Sequence, residues 1–284
     1  MSLPLVSIII PTFNRHQLLQ TAIDTVLQQT YRNIEVIIVD DASSDATAAL
    51  FAQYNDSRIK YIRHSTNKGG AAARNTGVLA ARGEYVTFLD DDDSYHPTKV
   101  QEQVKDMEHY DVAVCGYRSI AGRRLRTSRK SVVELNDLRY GSLLGGGTSL
   151  LMLKRNIIRE YLFDERLPCN QDWDLVVRLA KHFTIGYNSA PLVFYNNSHH
   201  SRISNQSRNL PLDQLESRLL AARKHKDVLG EFWFNYRMAQ TLLAFVRYRK
   251  NIPGWLRYTV TQCGIFPVLL CFCRKLFLRT SRFI

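Results

Sequence analysis

Gly83 to Pro97 reads GEYVTFLDDDDSYHP, and the fold turns on how that stretch is read. Tyr85, Val86, Thr87, Phe88 and Leu89 make a short, mostly apolar run rich in β-branched and aromatic residues, the composition of a strand buried in a sheet. Four carboxylates, Asp90 to Asp93, follow without a break, and Pro97 opens a helix. The acids therefore stand at the C-terminal end of a strand, where open α/β sheets bind ligands. Adjacent carboxylates repel one another, so four in a row are tolerated on a solvated loop or beside a cation. In the first case Asp93 or Ser94 caps the helix begun at Pro97. In the second, the turn seats a hard divalent ion such as Mg²⁺ or Mn²⁺, which keeps several waters and shares its shell with substrate phosphates. The spacing and Gly position of a calcium EF-hand loop are absent.

Upstream, Val6 to Pro11 (VSIIIP) is another buried strand, followed by Thr12-Phe13-Asn14-Arg15 and an amphipathic run, Leu18 to Gln28, with Leu19, Ile23, Val26 and Leu27 on one face. Ile34 to Val39 repeats the pattern and ends in Asp40-Asp41, with Ser43, Ser44 and Asp45 placed to cap a helix over Ala46 to Tyr54. Arg58 to His64 alternates as a third strand should. Gly69 and Gly70 allow tight backbone before a helix of small residues, Ala71 to Ala81, able to lie close to a sheet. The order β-α-β-α-β-α-β predicts an α/β fold, a Rossmann-like and mainly parallel sheet flanked by helices. Ends of parallel strands share one edge, so Pro11-Thr12, Asp40-Asp41 and Asp90 to Asp93 converge. A convergent acidic edge suits a cation and a phosphate.

A chain of 284 residues holds one large domain, or one domain with an appendage. With 45% hydrophobic and 23% charged residues it has an ordinary globular composition. Its five cysteines are odd in number and include no C-x-x-C pair, which fits a reducing compartment. The apolar stretch Val6 to Ile10 has no basic residue before it and ends as a strand does, unlike a secretory signal. The net charge of +12 is unevenly placed. Residues 217–284 carry four Lys and nine Arg against Asp227 and Glu231, hence +11, leaving +1 for residues 1–216.

Further along, Pro97 to His109 reads as a helix and Asp111 to Tyr117 as a fifth strand. Arg123, Arg124, Arg126, Arg129 and Lys130 form a basic loop, either solvated or a clamp for an anionic acceptor. Gly145-Gly146-Gly147-Thr148-Ser149 suits phosphate binding or close backbone packing equally. Asp172 lies near the start of a helix, where an acid is ordinarily a cap, and Asp174 reads as a structural or surface carboxylate. Phe183 to Tyr187 and Leu192 to Tyr195 are short strands leading to His199-His200, either a metal and phosphate contact or an exposed loop. From about Pro211 the chain is helical: Leu212 to Leu229, Glu231 to Lys250 and Trp255 to Leu278. The uncharged run between Arg257 and Arg274 makes about 24 Å of helix, short of the roughly 30 Å hydrocarbon core of a bilayer, and Pro267 interrupts it. Trp255, Ile265, Phe266, Leu269, Leu270 and Phe272, flanked by Arg257, Arg274 and Lys275, fit a helix lying in an anionic membrane surface. A helical cap on the catalytic domain and a dimer interface are the alternatives. The expected division is residues 1–205 and a basic helical tail, residues 206–284.

Taken together, Val6 to Arg15 (VSIIIPTFNR), Val39 to Asp45 (VDDASSD), Asn67 to Tyr85 with its ARNTG and ARGEY segments, Phe88 to Pro97 (FLDDDDSYHP) and Gln171 to Ala180 (QDWDLVVRLA) resemble the GT-A fold glycosyltransferases of family 2. The resemblance spans roughly residues 4–205. It implies metal-dependent, inverting transfer from a nucleoside diphosphate sugar, a UDP-sugar in the first instance, with Mn²⁺ or Mg²⁺. It implies as acceptor a hydroxyl of a glycan or undecaprenyl-linked saccharide in bacterial polysaccharide biosynthesis, and membrane contact by the basic tail would place the site at the cytoplasmic face, where lipid-linked acceptors are found. By the same resemblance Pro11, Thr12, Asn14 and Asp41 hold the nucleotide, Asp41 facing the uracil, and Arg74 lies near the pyrophosphate. Asp90 and Asp91 compete for the ribose, Asp92 and His199 are the metal ligands, and Asp172 is the general base. Asp91 stands where the family commonly has Ser, and Gln171 where Glu is more frequent. A nucleotidyltransferase of related fold would want a Gly-rich phosphate loop after the first strand, which Pro11-Thr12-Phe13-Asn14 is not. A nucleic-acid-binding protein would account for the charge, but no recognisable module is present and the basic residues of the tail sit among Leu, Phe and Trp.

Overall fold

The computed structural model describes residues 3–120, 125–140, 147–196, 217–244, 246 and 251–280. Four strands, β1 (Val6–Thr12), β2 (Ile34–Asp40), β3 (Ile59–Arg63) and β4 (Tyr85–Phe88), run parallel in the order β3-β2-β1-β4. Three helices connect them: α1 (His16–Leu27), α2 (Thr47–Phe51) and α3 (Gly70–Ala80). Every residue of β1 and β2 is buried, as a parallel sheet covered on both faces requires. The small-residue helix does lie close on the sheet: a Cβ on Gly77 would stand 2.4 Å from Ile9 of β1. Glu35, the second residue of β2, has its carboxylate satisfied locally. It accepts from the Ser7 hydroxyl at 2.6 Å, from the Arg82 backbone N–H at 2.7 Å and from that of Gly83 at 3.1 Å.

Beyond β4 the sheet becomes mixed. The later elements are β5 (Ser94–Tyr95), α4 (Lys99–Asp106), β6 (Val112–Ser119), β7 (Leu125–Arg126), α5 (Asp137–Tyr140), β8 (Leu151–Lys154), α6 (Arg155–Glu160), α7 (Gln171–Leu179) and β9 (Ile185–Tyr195). β8 inserts antiparallel between β4 and β6, β9 lies parallel to β6, and β5 closes the edge antiparallel to β9. The two short strands expected over residues 183–195 are one irregular strand, β9, and the apolar run at Leu150 to Leu153 supplies β8. The helix expected from Pro97 starts at Lys99, because Ser94 and Tyr95 pair with Phe194 and Val193. Neither Asp93 nor Ser94 caps it: the N-cap residue is Thr98, which makes no side-chain cap bond.

Two compact units emerge. Described residues within Met1–Leu138, Ser142–Glu165 and Leu175–Ser198 form the first, which contains the sheet. Those within Arg139–Gly141, Arg166–Asp174 and His199–Ile284 form the second. The second is built on α8 (Leu220–Lys224), α9 (Lys226–Ala244, kinked at Gly230), α10 (Ile252–Cys263) and α11 (Ile265–Thr280). Leu219, Tyr236, Met238, Ala239, Leu242, Leu243, Cys263, Val268 and Cys271 form its core. Asn251 caps α10, accepting the Gly254 N–H at 2.9 Å, and Gly264 at φ +79° ends it. The break in the apolar tail therefore falls at Gly264. Pro267 lies in the first turn of α11, where its missing N–H would have had no helical partner. Among the described residues no single helix is long and apolar enough to cross a membrane; the pair Ile252–Cys263 and Ile265–Cys273 passes by length and composition but is bent by 118°.

One buried group gives the first unit a distinctive pH response. Lys99 is fully buried; its ammonium donates to the Thr87 hydroxyl and to the Tyr95 hydroxyl at 3.0 Å, and lies 4.1 Å from the Tyr95 ring centroid. Burial pushes its pKa down to about 7. Between about pH 7 and 10 the unfolded chain holds a proton that the fold does not, so stability should rise with pH there, by at most about 1.4 kcal/mol per unit from this group. Lys99→Met should remove that slope and raise Tm at pH 7. Parallel stability-against-pH curves for the two proteins, measured by denaturant titration, would show that Lys99 is not the source.

Candidate active site

The C-terminal edge of the parallel strands collects the polar side chains. Thr12 ends β1 opposite Asp40 at the end of β2, and the next backbone N–H, of Asp41, donates to the Thr12 carbonyl at 2.9 Å. Pro11 is buried within β1, paired with Val39. The Asp41 carboxylate accepts the N–H groups of Lys68 and Gly69 at 2.8 and 2.7 Å, with His64 Nδ1 at 2.7 Å. A carboxylate here can only accept, so Nδ1 carries a proton, and Nε2 lies 2.9 Å from the Thr76 hydroxyl. Asp41 thus fixes the turn into α3, which Gly69 enables with φ +90°. Asn14, at φ +54°, accepts the Ser44 N–H at 2.7 Å and gives its own N–H to the Ser43 hydroxyl at 2.9 Å, tying the first strand-end loop to the second.

The four consecutive acids point different ways. Asp91 is turned inward, accepting from the Thr12 hydroxyl at 2.8 Å and from Arg15 at 3.0 Å. Burial first, and then the Asp92 charge, push its pKa up to about 6 against the pull of Arg15. Asp93 is buried deeper, held by the Ser149 hydroxyl at 2.8 Å and the Asn196 N–H at 3.1 Å. Burial and the neighbouring Asp90 and Asp92 raise its pKa well above the usual carboxylate range. Asp90 accepts from Arg74 at 2.6 Å and from the Thr148 hydroxyl at 3.0 Å, and its side chain is 27% exposed. Asp92, 12% exposed, has Arg15 at 3.4 Å. Asp91 and Asp93 are thus committed to the fold, while Asp90 and Asp92 keep exposed oxygen.

Among the described residues no three His, Cys, Asp or Glu side chains form a metal cage. A hard divalent ion that takes most of its shell from a diphosphate and water needs only one or two carboxylates, and Asp92, with its partly exposed oxygen, supplies one. The residues therefore fit such an ion. His199 lies outside the described residues, as do Arg123 and Arg124 of the basic loop.

Of the expected nucleotide and metal residues, Thr12 meets Asp91, and Arg74 meets Asp90. Arg15, His64, Thr148 and Ser149 were not among the expected site residues. Arg15 had a legible signal, being the first cation after β1 in a chain that must balance four acids. Thr148 and Ser149 had a weak one: the segment after the glycines uses its hydroxyls to hold Asp90 and Asp93. Asp172 belongs to the second unit and is half-buried in the first turn of α7, after Asn170 at φ +57°. Asp174 is structural: fully buried, it accepts from His225 Nε2 and the Lys224 ammonium, each at 2.8 Å.

Thr12→Val preserves shape but leaves an oxygen of the buried Asp91 without its hydroxyl donor. It should cost about 1–3 kcal/mol by denaturant unfolding, and an unchanged midpoint would show that Arg15 alone satisfies Asp91.

Residues 7–165 match the family model described as Glycosyl transferase family 2. An uncharacterized glycosyltransferase of Rickettsia felis is 35% identical over 221 residues, covering 72% of this chain and 36% of that protein. The chain thus spans about a third of that relative's length. The Escherichia coli protein WfaP, named as a UDP-Glc:alpha-D-GlcNAc-diphosphoundecaprenol beta-1,3-glucosyltransferase, is 43% identical over 104 residues, 37% of this chain and 41% of WfaP. Among solved structures, S. aureus TarS 1–349 in complex with UDP-GlcNAc superposes with a TM-score of 0.68 at 19% identity, covering 93% of this chain and 89% of that one.

Proposed function

The chain belongs to glycosyl transferase family 2, and on that premise we propose that it moves a sugar from a UDP-sugar to a hydroxyl of a lipid-linked glycan, with inversion at the anomeric carbon. The observation that carries the reading is the acidic edge, where two carboxylates keep exposed oxygen and two are spent on the fold. A UDP donor and an undecaprenyl-linked acceptor are supported by the names of TarS's ligand and of WfaP's reaction. A Mn²⁺ or Mg²⁺ ion bound with the donor, through Asp92 and by family resemblance His199, would supply Lewis-acid neutralisation of the departing diphosphate.

The chain's own residues do the rest. Thr12, Asn14 and Asp41 shape the nucleoside end, with Asp41 keeping an unused lone pair for the uracil N–H. Asp90 takes the ribose-facing place of the two candidates, since Asp91 is turned inward to Thr12 and Arg15. Arg74, beside Asp90, serves the pyrophosphate. Asp172 takes the proton from the acceptor hydroxyl as that oxygen bonds to the anomeric carbon and the bond from that carbon to the diphosphate oxygen breaks. One base and one displacement invert the centre, and UDP leaves with the bonding electrons.

Release of UDP from a panel of UDP-sugars, with Mn²⁺ present or chelated and lipid-linked saccharides supplied, tests this. Metal-dependent turnover of one donor should fall about 100-fold or more in Asp92→Ala and in Asp172→Asn. Failure of every UDP-sugar to turn over or bind would overturn the nucleotide assignment.

The second unit is proposed to rest on the membrane that holds such acceptors, at its cytoplasmic face. Ile265, Phe266, Leu269, Leu270 and Phe272 are exposed on α11, Phe266 by 74%, while Val268 and Cys271 face the core. The net charge of +11 over residues 217–284 suits an anionic surface. Co-sedimentation with phosphatidylglycerol vesicles should be strong, salt-sensitive and lost in Phe266→Ser/Leu269→Ser. Equal binding by that variant, or a dimer that buries the face without lipid, would contradict it.

A further inference from the structure

The segment proposed to bear the base is gripped by the helical tail through its two next residues. Trp173 and Asp174 follow Asp172 in the first turn of α7, and both are buried, at 2% and 0% exposure. His225, itself 3% exposed, lies in the junction between α8 and α9 and engages both. Its Nε2 is 2.8 Å from Asp174 Oδ1, and its ring meets the Trp173 indole edge to face, with centroids 5.4 Å apart. Lys224, the last residue of α8, adds its ammonium to the same carboxylate oxygen at 2.8 Å. Arg237 of α9 lies over the Trp173 ring, 3.9 Å from its centroid. A fully buried carboxylate paired with two cationic or protonated donors and flanked by a cation-stacked indole is a costly arrangement to build for packing alone, since apolar side chains of similar volume would fill the same space.

We infer that His225, with Lys224 and Arg237, is a positioning clamp: the tail helices fix the rotation and tilt of the first turn of α7, and with it the direction of the Asp172 carboxylate. The inference rests on the assignment of Asp172 as general base. Successive side chains project 100° apart around a helix, so pinning positions 173 and 174 on two sides stops the turn from rotating about its axis, and Asp172, 100° before Trp173, is held with it. The clamp acts on Asp172 through the two residues that follow it. The tail then has a catalytic duty separate from any contact with lipid.

The test compares kcat, donor KM and UDP affinity for wild type, His225→Leu, His225→Gln and Arg237→Met in the full chain, each first checked for a cooperative thermal transition. His225→Leu should lower kcat by about 10- to 100-fold, the scale of a misplaced catalytic group, with UDP affinity within about twofold of wild type. His225→Gln, whose amide N–H can reach the same carboxylate, should recover most of the loss. Arg237→Met, which keeps the contact with the indole but not the charge, should fall between. The decisive arm is the double variant: in an Asp172→Asn background, His225→Leu should add no further loss, because a clamp acting through Asp172 has nothing left to aim. Full kcat in a folded His225→Leu protein would overturn the inference, as would equal losses in kcat and UDP affinity or a loss that multiplies with that of Asp172→Asn. If Asp172→Asn itself keeps full activity, the base assignment fails first, and that result is distinct from a failure of the clamp.

Discussion

Four like charges at the end of one strand are the constraint around which the first unit is arranged. Two carboxylates 4 Å apart repel by ~4 kcal/mol at an effective dielectric near 20, so a run of four ionised together would work against the fold. The structure relieves this by separating them in direction and in surroundings. Asp91 goes to Arg15 and the Thr12 hydroxyl, and Asp93 is buried under the Ser149 hydroxyl, where burial and its acidic neighbours push its pKa up. Arg74 balances Asp90. The partners come from four separate segments: Thr12 from β1, Arg15 from the loop before α1, Arg74 from α3, and Thr148 and Ser149 from the segment before β8. The acid run is thereby a hub that fastens the loops of the sheet edge to one another, and it leaves exposed oxygen on Asp90 and Asp92.

Much of this was legible because it follows from backbone periodicity. Continuous apolar runs at Val6 to Ile10 and Ile34 to Val39 could only be strands covered on both faces, and the alternating order with helices required them to be parallel. Convergence of Thr12, Asp41 and the acids followed from that topology without knowledge of a single contact. The half of the sheet beyond β4 was not legible in the same way. There β8 pairs antiparallel with both its neighbours across long sequence separations, Met152 with Thr87 and Leu153 with Val112, and nothing local in Leu150 to Leu153 says which neighbour it will meet. The start of α4 was misplaced for a similar reason: Asp93 or Ser94 reads as a cap, but a tertiary pairing of Ser94 and Tyr95 with β9 overrides local propensity.

Within the site, sequence alone could not divide the labour among Asp90, Asp91, Asp92 and Asp93, because four identical side chains differ only in what surrounds them. Surroundings also separate Asp172 from Asp174. Both stand in the first turn of one helix, yet Asp174 is buried against His225 and Lys224 while Asp172 is half-exposed. The tail shows the same dependence on context. Its apolar residues do not all face one way: Val268 and Cys271 close a small core, whereas Phe266 and Leu269 stay in solvent, so one helix serves both packing and a free surface.

The acidic edge is proposed to seat a cation and a nucleoside diphosphate together. Calorimetric titration of UDP into the protein, once with Mn²⁺ saturating and once with chelator, addresses it without requiring the donor sugar or the acceptor to be known. The account predicts binding tighter by about tenfold or more with the metal, a coupling of about 1.4 kcal/mol. It also predicts that Asp92→Ala abolishes the difference while leaving the weak metal-free binding in place. UDP binding with the same affinity in Mn²⁺ and in chelator would contradict it, and would make the exposed carboxylates of Asp90 and Asp92 a solvated turn.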